Sequence, residues 1–198
     1  LIDRGNAELC EEEIEEQLEI YKSLIDMGVP TIMVSHSALN GVKMHENKYY
    51  LTDVLRGKLG FEGVIVSDWN SVNNITGATD YKEQIIMCVN AGIDWLMEPD
   101  TYDECAKYLV EAVQEGSISQ ERMDEAVTRI IQLKLDAGLF EDPYLENLST
   151  VQKETGSKEY RDLAEKLVEK SQVLIKNEDD ILPLKRGMKI FVTGPAAD

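Results

Sequence analysis

The sequence predicts an α/β fold in which parallel strands alternate with helices. Three short apolar runs with the character of strands lie at residues 31–34, 64–66 and 93–97, and they start about 30 residues apart. Segments in which apolar residues recur at helical spacing separate these runs, and βα units of a parallel sheet require this alternation. From the residues alone, the pattern fits either a barrel or a doubly wound sheet.

Composition limits the class of protein and the kind of partner. The chain has 198 residues, of which 43% are hydrophobic, and its 20 Lys and Arg against 38 Asp and Glu give a formal charge of −18. That balance argues against nucleic acid or an anionic membrane as a partner, because basic patches bind phosphate groups. It is compatible with a neutral substrate such as a carbohydrate. No apolar run approaches the ~18 residues of a membrane span, so no membrane partner is predicted.

Residues that commonly bind metals are few. The three cysteines, Cys10, Cys88 and Cys105, are widely spaced, and the two histidines are His36 and His45. They match no zinc or disulfide framework, so we expect buried free thiols and predict neither a metal nor a cofactor. The sequence also contains no phosphate-binding loop and no Gly-x-Ser-x-Gly elbow.

The chain around the first strand is predicted to contain two helices. Residues 8–27 place apolar side chains close to helical spacing and are followed by Gly28, a common helix stop. The strand at 31–34 leads into a long loop, 35–51, and loops of this length in compact domains are usually functional or disordered. A short helix capped by Thr52 is predicted before the second strand.

Helix signals continue after the second strand. Asp80 with Glu83 three residues on resembles a capping box, and the helix that it opens ends at Gly92, before the third strand. Two further helices are predicted, one over residues 103–115 and one capped by Ser119.

The sequence predicts a boundary between two domains. Residues 1–141 form the first domain, and 142–157 have the turn residues and the missing apolar period of a linker. Residues 158–198 begin a second domain with an amphipathic helix and a strand at 189–192. The start at Leu1 and the end soon after an apolar run indicate a piece of a longer protein.

Asp68 is the strongest candidate for chemistry. It follows the apolar run at 64–66, and a carboxylate at the carboxyl end of a buried parallel strand is costly to place for packing alone. In an α/β barrel, that end of each strand carries the catalytic residues. Trp69 beside it is either a core aromatic or a platform on which the apolar face of a sugar stacks. The alternative for Asp68 is a turn-forming or helix-capping aspartate.

Three other polar residues follow the first and third strands. Glu98 and Asp68 together would make the pair of carboxylates that glycoside hydrolysis needs, but a solvent-facing loop glutamate fits the position of Glu98 equally well. His36 could hydrogen-bond a substrate hydroxyl or be a satisfied loop histidine. We expect no role for His45.

Several motifs occur in a fixed order along the chain. They are Thr31-Ile-Met-Val-Ser-His, Asn40-Gly-Val-Lys-Met-His, Gly63-Val-Ile-Val-Ser-Asp-Trp, Ala91-Gly-Ile-Asp, Arg129-Ile-Ile, and Val173-Leu-Ile-Lys-Asn with Leu182-Pro-Leu. Together they closely resemble glycoside hydrolase family 3, in particular its exo-β-glucanase and β-glucosidase branch. The resemblance runs from about residue 8 to the end of the chain.

The resemblance implies the C-terminal part of a TIM-like (β/α)8 barrel, followed by the start of an α/β sandwich domain. Asp68 matches the family's nucleophile, which forms a covalent glycosyl-enzyme that water hydrolyses with retention. Trp69 matches a subsite tryptophan. Met33 and His36 match positions that line the glucose site, where the family usually has tyrosine at the position of His36. The family's general acid would lie beyond Asp198.

The resemblance therefore implies hydrolysis of terminal non-reducing β-D-glucosyl residues from β-glucosides and β-glucans, with the isolated chain inactive. A β-xylosidase or a β-N-acetylhexosaminidase is the alternative within the family, and a non-catalytic sugar-binding fragment is the alternative outside it. Polysaccharide degradation favours a secreted or periplasmic place. Exposed apolar strand edges are expected to promote self-association of the isolated chain.

Overall fold

The structure, a computed structural model, describes residues 3–144 and 154–195. Contacts along the chain separate two units, Leu1–Tyr144 and Leu145–Asp198. The predicted linker at 142–157 lies mostly outside the described residues.

The first unit contains both strands and helices. In chain order they are β1 (Asn6–Ala7), α1 (Glu11–Asp26), β2 (Thr31–Met33), β3 (Ala38–Leu39), β4 (Val42–Lys43), a π-helix (Tyr49–Lys58), β5 (Val64–Val66), α2 (Tyr81–Ala91), α3 (Tyr102–Gln114) and α4 (Gln120–Asp136). Short 3-10 turns lie at Met44–Glu46 and Val72–Asn74. None of the helices in the described ranges is long and apolar enough to cross a bilayer.

The parallel sheet is centred on β5. β2 pairs with β5 in parallel, with Ile32 opposite Ile65, and a parallel bridge joins Val66 to Trp95 on the other edge of β5. Segments of three successive βα units therefore lie side by side in chain order. Ile65 is fully buried, as expected of a strand covered on both faces. The α/β class predicted from the sequence is confirmed. The shorter β1 pairs in parallel with β3, and β3 pairs with β4 in a hairpin.

The third predicted strand, 93–97, is reduced to a single bridge. Two side chains make hydrogen bonds that backbone groups make in a regular ladder. The Asp94 carboxylate accepts the Ile65 N–H at 3.0 Å, and the Ser67 hydroxyl oxygen accepts the Met97 N–H at 2.7 Å. Together with backbone hydrogen bonds from Asp94 to Ile65 and from Ser67 to Trp95, these bonds hold the segment beside β5 without a regular strand.

Two helix starts follow their sequence signals. The side chain of Asp80 accepts the Glu83 N–H at 3.2 Å at the start of α2. The hydroxyl of Ser119 accepts the Arg122 N–H at 3.1 Å at the start of α4. Both predicted N-caps are confirmed, since each side chain satisfies a backbone donor that the first helical turn leaves without a partner.

One helix differs from the prediction. The helix expected to be capped by Thr52 is a π-helix that begins earlier, at Tyr49. Thr52 is not its cap, because the Thr52 hydroxyl donates to the Ala91 carbonyl at 2.8 Å, at the end of α2. The threonine therefore joins two helices.

The core of the first unit lies around β5 and the helices that follow it. The cysteines Cys88 and Cys105 are buried and free, as expected, whereas Cys10 is free but exposed beside the start of α1. The largest side chains with almost no exposure are Ile65, Ile85, Ile93, Ile118, Val64 and Val72.

The second unit contains α5 (Lys158–Ser171) and a 3-10 turn at Glu178–Asp180. The hydroxyl of Ser157 accepts the Tyr160 N–H at 3.4 Å at the start of α5. The prediction of a strand at 189–192 is wrong. Residues 154–195 contain no strand with which this segment could form a ladder.

Candidate active site

Asp68 lies two residues beyond β5, at the carboxyl end of the parallel sheet. Both oxygens of its carboxylate have a partner. Oδ1 accepts the Trp69 N–H at 2.7 Å, and Oδ2 lies 3.3 Å from His36 Nε2. The Asp68 side chain is 28% exposed, so solvent or a ligand can reach it. These two contacts hold the carboxylate in one orientation.

His36 connects Asp68 to a buried serine. The imidazole is 9% exposed, and its Nδ1 is hydrogen-bonded to the hydroxyl of Ser71, which is 1% exposed. The tautomer with its proton on Nε2 donates a hydrogen bond to Asp68 and accepts one from the Ser71 hydroxyl at Nδ1. One tautomer therefore satisfies both contacts. Neither nitrogen is left for another partner in that arrangement.

His45 contacts the backbone of Asp68, although the sequence indicated no role for it. Its Nε2 accepts the Asp68 N–H at 3.0 Å, and the ring is 3% exposed. Burial, together with the neighbouring His36, lowers the pKa of His45 from 6.5 to about 4. His45 is therefore neutral at pH 7, and its Nε2 can accept. His45 ends the motif Asn40-Gly-Val-Lys-Met-His, but no role was predicted for it, because it lies within the loop 35–51 and not at a strand end.

The backbone on either side of Asp68 is fixed to the segment that follows α2. Ser67 donates its N–H to the Trp95 carbonyl at 2.8 Å and its hydroxyl to the Asp68 carbonyl at 3.0 Å. Asn70 donates its N–H to the Met97 carbonyl at 2.9 Å. Asn70 has a φ of 54°, and asparagine is one of the few residues that adopt this left-handed conformation readily. The turn that carries Asp68 is therefore held at both ends.

Trp69 and Met33 expose apolar surface at the same end of the sheet. The Trp69 side chain is 60% exposed and Met33 is 56% exposed. Met33 ends β2 opposite Val66, which precedes Asp68 by two residues. The exposure of Trp69 excludes its alternative as a core aromatic. An exposed indole beside a carboxylate can stack on the apolar face of a sugar ring.

Glu98 is buried, which excludes the solvent-facing alternative. It is 4% exposed, and its carboxylate accepts the hydroxyls of Tyr81 at 2.9 Å and Thr101 at 3.2 Å. It also accepts the Val72 N–H at 3.4 Å, in the loop after Asp68. Burial, with a contribution from Glu98, raises the pKa of Tyr81. The Glu98 oxygens thus accept hydrogen bonds from protein donors, and through Val72 the residue helps to fix the loop that follows Asp68.

The arrangement therefore presents one accessible carboxylate whose orientation is fixed by its neighbours. Such a group can act as a nucleophile or stabilise a developing positive charge. Within residues 3–144 and 154–195, no three histidine, cysteine or acidic side chains are placed to hold a metal ion.

The chain is similar to known proteins over most of its length. A profile described as the glycosyl hydrolase family 3 N-terminal domain matches residues 2–133. The lysosomal beta glucosidase of Dictyostelium discoideum is 36% identical over 183 residues, 89% of this chain and 22% of that protein. The periplasmic beta-glucosidase of Salmonella typhimurium is 32% identical, over 90% of this chain and 24% of that protein. The beta-xylosidase of Formosa agariphila is 34% identical, over 87% and 25%.

The similarity extends to solved structures. The exo-1,3/1,4-beta-glucanase (ExoP) from a Pseudoalteromonas species aligns with a TM-score of 0.76 and 36% identity, over 92% of this chain and 23% of that chain. The beta-glucosidase from Listeria innocua aligns with a TM-score of 0.72 and 32% identity, over 92% and 25%. The chain spans about a quarter of the length of the curated relatives that it matches.

Proposed function

We propose, from the premise that the chain belongs to glycosyl hydrolase family 3, that it carries the nucleophile of a retaining β-glucosidase or exo-β-glucanase. The proposed reaction removes terminal non-reducing β-D-glucosyl residues from β-glucosides and β-glucans. The main support is Asp68, an accessible carboxylate at a strand end with both oxygens oriented by the protein. Residues 1–141 would form the last part of a (β/α)8 barrel, and 158–198 the start of an α/β sandwich domain.

The proposed mechanism has two displacements at the anomeric carbon. An ionised oxygen of Asp68 forms a bond to this carbon while the glycosidic C–O bond breaks, and a general acid outside this chain protonates the leaving oxygen. Water then attacks the same carbon and loses a proton to that residue, now a base, as the ester to Asp68 breaks. Two inversions give net retention.

Three neighbours have proposed roles in this reaction. Trp69, with its exposed indole, would stack on the sugar, and Met33 would line the same subsite. His36 matches a substrate-binding position, but both of its ring nitrogens already have protein partners. We therefore propose that the main role of His36 is to orient Asp68. A hydrogen bond from His36 to a substrate hydroxyl would be its less important role.

The choice of sugar within the family is open to a second candidate. The similarity to a beta-xylosidase favours xylosides as the alternative substrates, and a β-N-acetylhexosaminidase is the remaining one. The values of kcat/KM for aryl β-glucoside, β-xyloside and N-acetyl-β-glucosaminide separate the three. One relative is named periplasmic and another lysosomal, and we propose a secreted or periplasmic place for the enzyme.

Replacement of the nucleophile tests the proposal. In the enzyme that contains this chain, Asp68→Asn is expected to lower kcat by several orders of magnitude, because an amide cannot form the glycosyl ester. Asp103→Asn, on the exposed first turn of α3, serves as the matched control and is expected to leave kcat unchanged.

Trapping identifies the residue directly. A 2-fluoro-β-glucoside with a good leaving group is expected to add one sugar, and peptide mapping should place it on Asp68. Sugar on another carboxylate, or full activity of Asp68→Asn, would exclude the nucleophile assignment. Binding of glucoside without turnover or labelling would instead support the non-catalytic sugar-binding alternative.

A further inference from the structure

A cluster of three arginines surrounds one carboxylate beside β5. The Asp94 side chain is fully buried, and the guanidinium groups of Arg56, Arg122 and Arg129 contact its oxygens, the last two at 2.8 and 3.2 Å. The Ile65 N–H is a fourth donor, at 3.0 Å. A carboxylate offers about four acceptor positions. Asp94 is therefore saturated with donors and neutralises only one of the three positive charges.

The other charges near this cluster leave it positive. Glu125 lies 3.6 Å from Arg129 Nη1, but it is 58% exposed, so solvent screens its contribution. Lys48 and Glu125 both line the cavity and are both exposed, so their charges offset each other, and the three arginines with Asp94 leave two positive charges. Among the residues that the structure describes, Arg122 Nη1 is buried and has no hydrogen-bond partner. A charged donor without a partner is a costly feature that a bound anion nearby would compensate.

A cavity of about 380 Å³ opens beside the cluster. One carboxylate lies among four cationic side chains in its charged and polar lining, which consists of Lys48, Thr52, Arg56, Asn90, Ser119, Arg122, Glu125 and Arg129. Ser119 is the N-cap of α4, a helix of 17 residues, and the positive end of its dipole lies at this point. The lining thus combines guanidinium groups, an ammonium group and a helix N-terminus, which are the groups that bind tetrahedral oxyanions in proteins.

The cavity lies at the opposite end of β5 from Asp68. Arg56 donates to the carbonyls of Phe61 and Gly63, both at 3.1 Å, in the segment that enters β5. Asp68 follows the other end of the strand. Asp68 lies five positions beyond Gly63, and at the rise of a strand this corresponds to a distance on the order of 15 Å. The cavity is therefore separate from the proposed active site.

We infer that this cavity is a binding site for a multivalent oxyanion, such as inorganic phosphate or sulfate. Its cationic side chains come from the π-helix region and from α4, which are distant in sequence, so they converge only in the folded chain. An anion held there binds the native state selectively and raises its stability with a saturable dependence on concentration. The chain has a formal charge of −18, so the positive charge around this cavity is opposite in sign to that of the chain as a whole.

Thermal unfolding of the chain with added sodium phosphate tests the site, with sodium chloride at the same ionic strength as the reference. Phosphate is expected to raise Tm until the site is saturated. Lys48→Glu is expected to abolish this saturable rise in Tm. Lys134→Glu, which places the same charge change on the exposed side of α4, is the control and should keep it. An equal, non-saturating rise in both variants would mean a general salting effect and would overturn the site.

Calorimetric titration of the unsubstituted chain with phosphate tests the site without any substitution. Its result therefore does not depend on whether a variant folds. A binding isotherm with a stoichiometry near one phosphate per chain supports the site. No saturable heat, under conditions in which the folded chain is verified by circular dichroism, would refute it.

Discussion

At the scale of single residues, the two histidines contact Asp68 with opposite hydrogen-bond roles. His36 presents Nε2 to the carboxylate, so a neutral ring must carry its proton there. His45 accepts the Asp68 N–H at Nε2, so its proton must lie on Nδ1. The protonation of both rings therefore helps to fix the orientation of one aspartate.

His45 is expected to make stability depend on pH. Its folded-state pKa of about 4 lies below the ordinary 6.5, so between these values the unfolded chain binds more protons than the folded chain. The contribution of neutral His45 is complete above pH 6.5 and is lost as the pH falls towards 4, on the order of 3 kcal/mol in all. Urea unfolding at several pH values measures it.

The comparison with His45→Gln isolates this contribution from that of the carboxylates, which titrate in the same window. The glutamine variant is expected to lose less free energy of unfolding than the unsubstituted chain over the same fall in pH. Equal pH dependence of the two proteins would show that the pKa of His45 is not lowered by folding.

The sequence predicted part of this residue-scale arrangement. Asp68 and Trp69 were marked because a polar pair follows a buried apolar run, which is a local signal. No role was predicted for His45 or Ser71, because their contacts with Asp68 and His36 arise only when the loop 35–51 folds over the strand end. A one-dimensional pattern carries no information on such contacts.

At the scale of secondary-structure elements, Asp94 joins segments that the chain separates. It contacts Arg56 of the π-helix and Arg122 and Arg129 of α4, and its carboxylate also accepts a hydrogen bond from the backbone of β5. The π-helix and α4 are thus both held to the sheet through one side chain. Predicted N-caps such as Ser119 depend on neighbours within one helical turn, whereas this junction depends on residues about 30 or more apart. That difference explains why the caps could be predicted and the junction could not.

Asp94→Asn is expected to lower the free energy of unfolding by about 3–5 kcal/mol, because it leaves several guanidinium groups without their buried counter-charge. Chemical denaturation monitored by circular dichroism measures the change. Asp103→Asn, at an exposed position, is the matched control, with an expected change within about 0.5 kcal/mol. Similar losses in both variants would show that the Asp94 cluster contributes little to stability.

At the scale of the whole molecule, the first unit exposes an apolar stripe on α4. Val127, Ile131 and Leu135 follow one another at four-residue spacing on α4, and each is more than two-fifths exposed. Met33 on β2 is exposed as well, and β2 has its one described strand neighbour in β5. Patches of this kind on a soluble domain favour association with other surfaces.

The isolated chain is therefore expected to self-associate with increasing concentration. Light scattering coupled to size-exclusion chromatography measures the mass. Ile131→Glu is expected to shift the distribution towards monomer, whereas Thr128→Glu, an exposed neighbour on the same helix, adds the same charge and is expected to have a smaller effect. A monodisperse monomer that melts in one cooperative transition would contradict the expectation.

The spacing of the strands predicted the α/β class of the first unit, because that signal repeats along residues 31–97. The strand at 189–192 followed the same local rules and is absent, since a strand also requires a neighbour.

The pairing between β5 and residues 93–97 combines backbone hydrogen bonds with hydrogen bonds to two particular side chains. An ordinary ladder uses backbone groups, which every sequence supplies, so many substitutions along it are neutral if they remain apolar. Here a change at Ser67 or Asp94 removes a connection of the sheet itself. Among the residues that pair β5 with 93–97, substitutions should therefore be tolerated least at Ser67 and Asp94. Ser67 is adjacent to Asp68.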